Sequence, residues 1–143
     1  MTAPDPEGKG AKRAMQQAVK EAGIDETQVD YINAHGTSTH ANDSAEAKAI
    51  NEVFANNDHV KVSSTKGMTG HALGAAGAIE AVATIGAILH NQMPVNVGVV
   101  NQDEECDVEL VDDSNKNAEV NYAISNSFGF GGHNAVIAFK GCD

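Results

Sequence analysis

Residues 60–94 read VKVSSTKGMTGHALGAAGAIEAVATIGAILHNQMP, and this stretch decides the fold class. It opens on a short β-branched run, Val60–Ser64, that reads as a strand. It then passes through the glycine-dense loop Lys66-Gly67-Met68-Thr69-Gly70-His71 into an apolar segment, Leu73–His90. Half of the eighteen residues of that segment are Ala or Gly, its only acid is Glu80, and its only base is His90. A helix apolar on nearly all sides is a buried one. The expectation is therefore a central helix packed against a partner helix through small side chains, and Pro94 prevents its continuation. Strand, loop and helix in that order suit an α/β layered fold.

The flanking sequence continues the alternation. On the N-terminal side, Ala11, Ala14, Met15, Ala18, Val19 and Ala22 recur at helical spacing, and Gly23 is the expected C-cap. Val29–Ala34 (VDYINA) reads as a strand ending in His35-Gly36. A second helix is expected from about Ser44 to Phe54, with Ala45, Ala49, Ile50 and Val53 inward. Asp43 is its expected N-cap, and Glu46 completes a capping-box pattern. On the C-terminal side, Val108–Val111, Tyr122–Ser125 and Ala135–Lys140 read as strands. Ser127–Asn134, SFGFGGHN, is the glycine-dense turn between the last two. With neither internal repeat nor Pro/Ser-rich linker, residues 1–143 are expected to form one domain.

Composition excludes several classes. The net charge is −11 and aromatics are 4%, with no Trp. A phosphate-backbone binder needs the opposite charge, and a single-strand binder needs stacking rings. The acidity is local: residues 101–119 hold eight acids and one Lys, and read as a solvated loop around a short edge strand. No apolar run of about 18 residues is free of polar breaks, so no membrane span is expected. MTAPDPEGKG lacks the basic start and apolar core of a secretory signal. Cys106 and Cys142 make no disulfide framework, so a reducing cytoplasm is the expected compartment. Cys106, beside Glu104, Glu105 and Asp107, is a poor thiolate, and Cys142 is penultimate. Phosphate-loop, dinucleotide-binding, zinc-ligand and nucleophile-elbow spacings are all absent. His35 and His40 lie five apart on a loop, which is no helical metal face, so no metal and no bound cofactor are expected.

Three polar clusters follow strands: His35-Gly36-Thr37-Ser38-Thr39, His71 after its Gly-rich loop, and Gly129-Phe130-Gly131-Gly132. Strand ends in α/β sheets are where ligand sites gather. Each cluster also has a plain reading: a structural histidine, turn threonines and a hairpin turn. Their joint occurrence marks the candidate site.

The strings NAHGTSTHAND, SSTKGMTGHALGAAG and NSFGFGGHNAV, in that order, resemble the C-terminal half of elongating β-ketoacyl-acyl-carrier-protein synthases of the synthase II type. The resemblance runs over essentially the whole chain. It implies a thiolase-like fold of two similar α/β halves related by pseudo-twofold symmetry, of which this chain is the second. The nucleophilic Cys of the family lies in the first half, and nothing here matches it. Met1-Thr2-Ala3-Pro4 itself resembles an internal stretch of the longer enzymes. The implied chemistry is chain elongation: decarboxylation of a malonyl-carrier-protein and condensation with an acyl-enzyme. His35 and His71 resemble the histidines that donate to the thioester oxygen, Lys66 the buried lysine, and Glu80 its paired acid. Phe130 resembles the gate residue, Gly129 and Gly131 the glycines that free its loop, and Thr37 and Thr39 the hydroxyls that hold the phosphopantetheine amides. His133 stands where many members have Thr and is given no catalytic role. The implied partners are the acyl carrier protein, the N-terminal half and a second copy of the chain. Carrier proteins are acidic, and the one basic stripe here is Lys9, Lys12, Arg13 and Lys20. The alternative is a domain that folds or oligomerises without chemistry.

Overall fold

Three short apolar runs pair side by side in a computed structural model, which describes residues 5–142; the internal-stretch resemblance of Met1-Thr2-Ala3-Pro4 lies outside the described residues. Strand β1 (Tyr31–Asn33) pairs in parallel with β2 (Lys61–Ser63) on one side and with β3 (Tyr122–Phe128) on the other. Strand β4 (Asn134–Lys140) closes an antiparallel hairpin with β3, giving the order β2-β1-β3-β4. β1 is buried along its whole length, as a strand covered on both faces must be. Val108–Val111 does not form the expected strand. Only Leu110 bridges Val62, through Val62 N–H to Glu109 O and Val111 N–H to Val62 O. One further rung is all that β2, three residues long, extends to this segment.

Side-chain alternation sorts the two faces. Ile32 and Ile124, paired in register, point toward helices α1 (Lys9–Glu21) and α2 (His40–Val53), where Met15, Val19, Ala49, Ile50 and Val53 complete the larger core. Tyr31 and Ala123 point the other way, toward Ala87, Met93, Val111 and Val120. α1 ends as expected: Gly23, at φ +68°, donates to Lys20 O, and Ile24 donates to Val19 O. That is the double carbonyl capture of a left-handed C-terminal turn.

α2 departs from expectation at its start. It begins at His40, with Thr39 in the N-cap position, so Asp43 lies inside the helix and caps nothing. Glu46 does not reach back to close a capping box. It turns inward, because unpaired backbone donors at the end of β1 claim its carboxylate.

The Ala/Gly-rich segment also differs. Leu73–Ala75 is a single 3₁₀ turn, and α4 runs over Ala76–His90 after the short helix α3 (Lys66–Thr69). Only Ala76, Glu80, Thr84 and Ala87 are buried, a row of i, i+4, i+8 and i+11 facing the sheet. Among the described residues no partner helix covers its other face, which leaves the helix half exposed in the single chain. Val82 and Leu89 are more than 70% exposed, and Ile79 and Ile85 stand beside them. By length and composition alone Leu73–His90 is apolar enough to cross a membrane, contrary to the expectation from its polar breaks. Glu80 and Thr84, however, are buried, and only His90 at its end is a polar side chain in the open.

Candidate active site

The C-terminal end of β1 delivers His35 into the interior, where it is only 8% exposed. The C-terminal end of β2 leads through Thr65 into α3, whose first residue, Lys66, is also buried. Lys66 Nζ lies 3.5 Å from His35 Nδ1 and forms a buried ion pair with Glu80 of α4. Lys66 therefore folds back along α4, as contact with Glu80 requires. A lysine ammonium only donates, so His35 Nδ1 accepts and its proton resides on Nε2.

His71 arrives from the loop ahead of α4. Its ring stands edge-on to that of His35, with centroids 5.5 Å apart and planes at 86°. Leu73 N–H donates to His71 Nδ1 at 3.1 Å. Both imidazoles thus keep Nδ1 occupied as an acceptor and present Nε2–H. Burial, the Lys66 charge and His71 together push the His35 imidazole down to a pKa of about 4. At neutral pH it is an uncharged donor.

Thr37 and Thr39 follow on the same loop, their hydroxyls 3.0 Å apart. The third cluster forms a hairpin turn closed by Gly129 N–H to His133 O. Gly131 and Gly132 sit at φ +75° and +80°, where only glycine is unstrained, whereas Gly129 at φ −103° has an ordinary backbone. Phe130 is 77% exposed, its ring turned to solvent. The aromatic that meets His35 is instead Phe128, with centroids 5.9 Å apart. The structure therefore brings His35, His71, Lys66 and Glu80 together, with Thr37 and Thr39 on the His35 loop, and holds Phe130 on the rim.

Two further polar residues belong to this site and were not singled out as such by their spacing. Glu46 accepts from His35 N–H at 2.8 Å, Gly36 N–H at 2.9 Å and Asn126 Nδ2 at 3.0 Å. Asn126 is wholly buried on β3. The available signal was an acid on the inward row of α2, among Ala45, Ala49 and Ile50. Cys106 is half-buried, its thiol pushed up by burial and then by Asp43, Asp103 and Glu105, in agreement with its reading as a poor nucleophile.

The family described as "Beta-ketoacyl synthase, C-terminal domain" matches residues 1–100. The chain is 50% identical over 141 residues to 3-oxoacyl-[acyl-carrier-protein] synthase 2 of Synechocystis sp., covering 98% of this chain and 34% of that protein. The synthase 2 of Staphylococcus aureus is likewise 50% identical over 98% of the chain and 35% of its own length. The chain thus spans about a third of the length of the curated relatives it matches. Among solved structures, a β-ketoacyl synthase from Burkholderia phymatum STM815 superposes with a TM-score of 0.92 at 34% identity, over 100% of this chain and 34% of that one. A type II polyketide ketosynthase, AntDE, in complex with its acyl-carrier protein AntF and bound to the hexaketide, superposes with a TM-score of 0.94 at 34% identity, over 100% of this chain and 35% of that one. These neighbours place the mixed sheet and its helices in the thiolase-like ketosynthase architecture.

Proposed function

The chain belongs to the β-ketoacyl synthase family as its C-terminal domain, and from that membership we propose that it supplies the histidine apparatus of a carrier-protein-dependent condensing enzyme. The observation that carries the reading is the pair of edge-on imidazoles, each with Nδ1 occupied and Nε2–H free to donate.

The reaction needs such a pair. When the carboxylate of a malonyl thioester leaves as CO2, the C–C bond breaks and its electron pair spreads onto the thioester oxygen. His35 and His71 donate to that oxygen as the charge develops. Preorganised donors do this without reorganising, and removing one such donor typically costs about 10²–10³ in rate. The resulting enolate carbon attacks the acyl thioester held on the Cys of the N-terminal half. The thiolate leaves as the β-keto product forms, and the oxygen of that tetrahedral intermediate is held by backbone N–H groups, one of them from Phe130. Thr37 and Thr39 take the amides of the phosphopantetheine arm, and an acyl carrier protein delivers it. Lys66, neutralised by Glu80, holds His35 in the donor tautomer without carrying a net charge into the pocket.

The test is a complete enzyme assembled from this chain and a Cys-bearing N-terminal half. His35→Ala and His71→Ala should cut malonyl decarboxylation about 10²–10³-fold and acyl transfer to the Cys far less. Equal losses in both half-reactions would overturn the assignment. This chain alone, having no activated nucleophile, should form no β-ketoacyl product. A second reading, assembly without chemistry, is favoured by the exposed row Val82, Ile85 and Leu89 and applies to the chain when its N-terminal half is absent.

A further inference from the structure

We infer that His40 is a positioning residue for the ligand loop Thr37–Thr39: while protonated it is gripped between Asp103 and Glu105, and this latch ties the start of α2 to the acidic 3₁₀ turn Glu104–Cys106. The inference rests on the reading of Thr37 and Thr39 as phosphopantetheine ligands, and makes their hold on that arm depend on pH.

The loop is steadied from its two ends. At the β1 end, Gly36 O accepts from Ser64 Oγ at 2.9 Å. At the other end, Thr39 stands in the N-cap position of α2 without a side-chain cap bond, because its hydroxyl is turned to that of Thr37. Between them Ser38 sits at φ +62°, a left-handed conformation that is strained for a residue other than glycine. Thr39 O takes the amides of Asn42 and Asp43, so whatever steadies the first turn of α2 steadies Thr39.

His40 opens that turn. Its Nδ1 lies 3.5 Å from Asp103 Oδ2 and its Nε2 lies 3.2 Å from Glu105 Oε2. Asp103 keeps Oδ2 for this contact, since Oδ1 accepts from Glu105 N–H. A neutral imidazole has one N–H and one bare lone pair, so it donates to one carboxylate and repels the other. The imidazolium donates to both. A cation in the first turn of a helix stands at the wrong end of the helix dipole, and the two carboxylates offset that. His40 and Asp103 line a cavity of about 680 Å³ together with Gly36, Ser38 and Cys106, so latch and ligand loop border the same space.

The charged groups around His40 are all acids. Asp103 and Glu105 come from the 3₁₀ turn and its N-cap, and Asp43 lies one turn on along α2, where it takes Asn42 Nδ2 at 3.1 Å. Residues 96–102 bring only uncharged side chains. Cys106, its thiol pushed up by burial and then by these acids, stays neutral from pH 5.5 to 8. Among the described residues no Lys or Arg pairs with Asp43, Asp103 or Glu105, so no permanent cation competes with His40 for them.

Amide exchange in the chain itself tests the latch, each rate being divided by that of an unstructured peptide at the same pH and salt. Histidine changes charge between pH 5 and 8, so pH 5.5 is compared with pH 8. The reporters are the Asn42 and Asp43 amides, bonded to Thr39 O, and the Cys106 amide, bonded to Asp103 O; Phe54, bonded to Ile50 O at the far end of α2, is the reference. Wild type should protect the reporters about two- to fivefold better at pH 5.5 than at pH 8, the size of exposed ion pairs. Salt at about 0.5 M should erase the difference. His40→Gln should hold the low value at both pH values, and His40→Arg, charged at both, the high one. The His40 side chain is 67% exposed, so neither substitution disturbs the core. Protection that ignores pH in wild type, or a pH dependence that survives in His40→Gln, overturns the inference.

In a complete enzyme with a Cys-bearing N-terminal half, wild type and His40→Arg should share one KM for the carrier-protein substrate at pH 5.5. At pH 8 the KM of wild type should be about two- to fivefold the higher, with kcat moving less. Equal KM at both pH values overturns the link to the ligand loop. If Thr37→Val with Thr39→Val leaves KM unchanged, the reading of the hydroxyls as phosphopantetheine ligands fails, and the exchange results still decide the latch.

Discussion

His35 is a histidine held neutral where most histidines titrate. Its ring is buried, Lys66 Nζ is 3.5 Å from Nδ1 and His71 lies edge-on, and the ring accordingly protonates only near pH 4 instead of 6.5. The folded pKa lies below the unfolded one, so between these values the unfolded chain binds the extra proton. The contribution of His35 to stability is therefore full above about pH 6.5 and is lost as pH falls toward 4, with a slope of at most about 1.4 kcal/mol per pH unit. Glu46 acts in the opposite sense, because its raised folded pKa gives a contribution lost as pH rises. The difference between wild type and His35→Asn isolates the histidine: urea unfolding should show wild type gaining on the variant from pH 4 to 6.5 and running parallel above it. Curves parallel throughout would mean that His35 is not shielded. Removing Lys66 and Glu80 together, as Lys66→Met with Glu80→Gln, avoids stranding a buried charge and should raise the ring titration. At this scale the motif residues His35, His71, Lys66 and Glu80 were legible in the sequence. Asn126 and the inward turn of Glu46 were not, because each depends on a donor brought from another strand.

Whole elements were legible where their signals are local. The end of α1 is one such case: Gly23 adopts φ +68° and no atom would meet a Cβ there, so its role is purely conformational. Gly23→Ala should cost about 1–2 kcal/mol, seen as a lower urea midpoint at unchanged slope. The start of α2 shows the converse. Asp43 followed three residues later by Glu46 has capping-box spacing, yet the helix begins at His40 and Glu46 bonds across to β1. A pattern spanning four residues loses to a buried carboxylate satisfying donors ten and eleven residues away. Asp43→Ala should accordingly leave stability within about 0.5 kcal/mol, where removal of a true N-cap costs about 1 kcal/mol. A loss of a full kcal/mol or more would restore Asp43 to the capping role. Val108–Val111 failed as a strand for a related reason: its composition is β-like, but β2 offers it a single rung.

At the scale of the molecule, the helix that decided the fold class is also the one the chain cannot cover. Sequence alone shows α4 to be apolar on nearly every side, but it does not show that one of those sides has no neighbour here. The inward row takes the polar pair Glu80 and Thr84, while Ile79, Val82, Ile85 and Leu89 face outward without a charge among them. Apolar patches beyond a few hundred Å² are rare on monomers and usually find a partner. In the complete enzyme we assign this face to the N-terminal half. In its absence, a second copy can lay the same row against its own across a twofold axis, since an uncharged surface meets itself without repulsion. Ala78, exposed, and Gly86, with open space where a Cβ would stand, let the helices approach closely. The isolated chain should therefore scatter light as a dimer or larger species at low micromolar concentration. Val82→Glu, at a site already 71% exposed and so costing the fold little, should shift it to monomer with its circular dichroism unchanged. Adding a Cys-bearing N-terminal half should compete with self-association for the wild-type chain and fail to bind the variant. A wild-type chain that stays monodisperse and monomeric, unfolding cooperatively, would show that this face needs no cover.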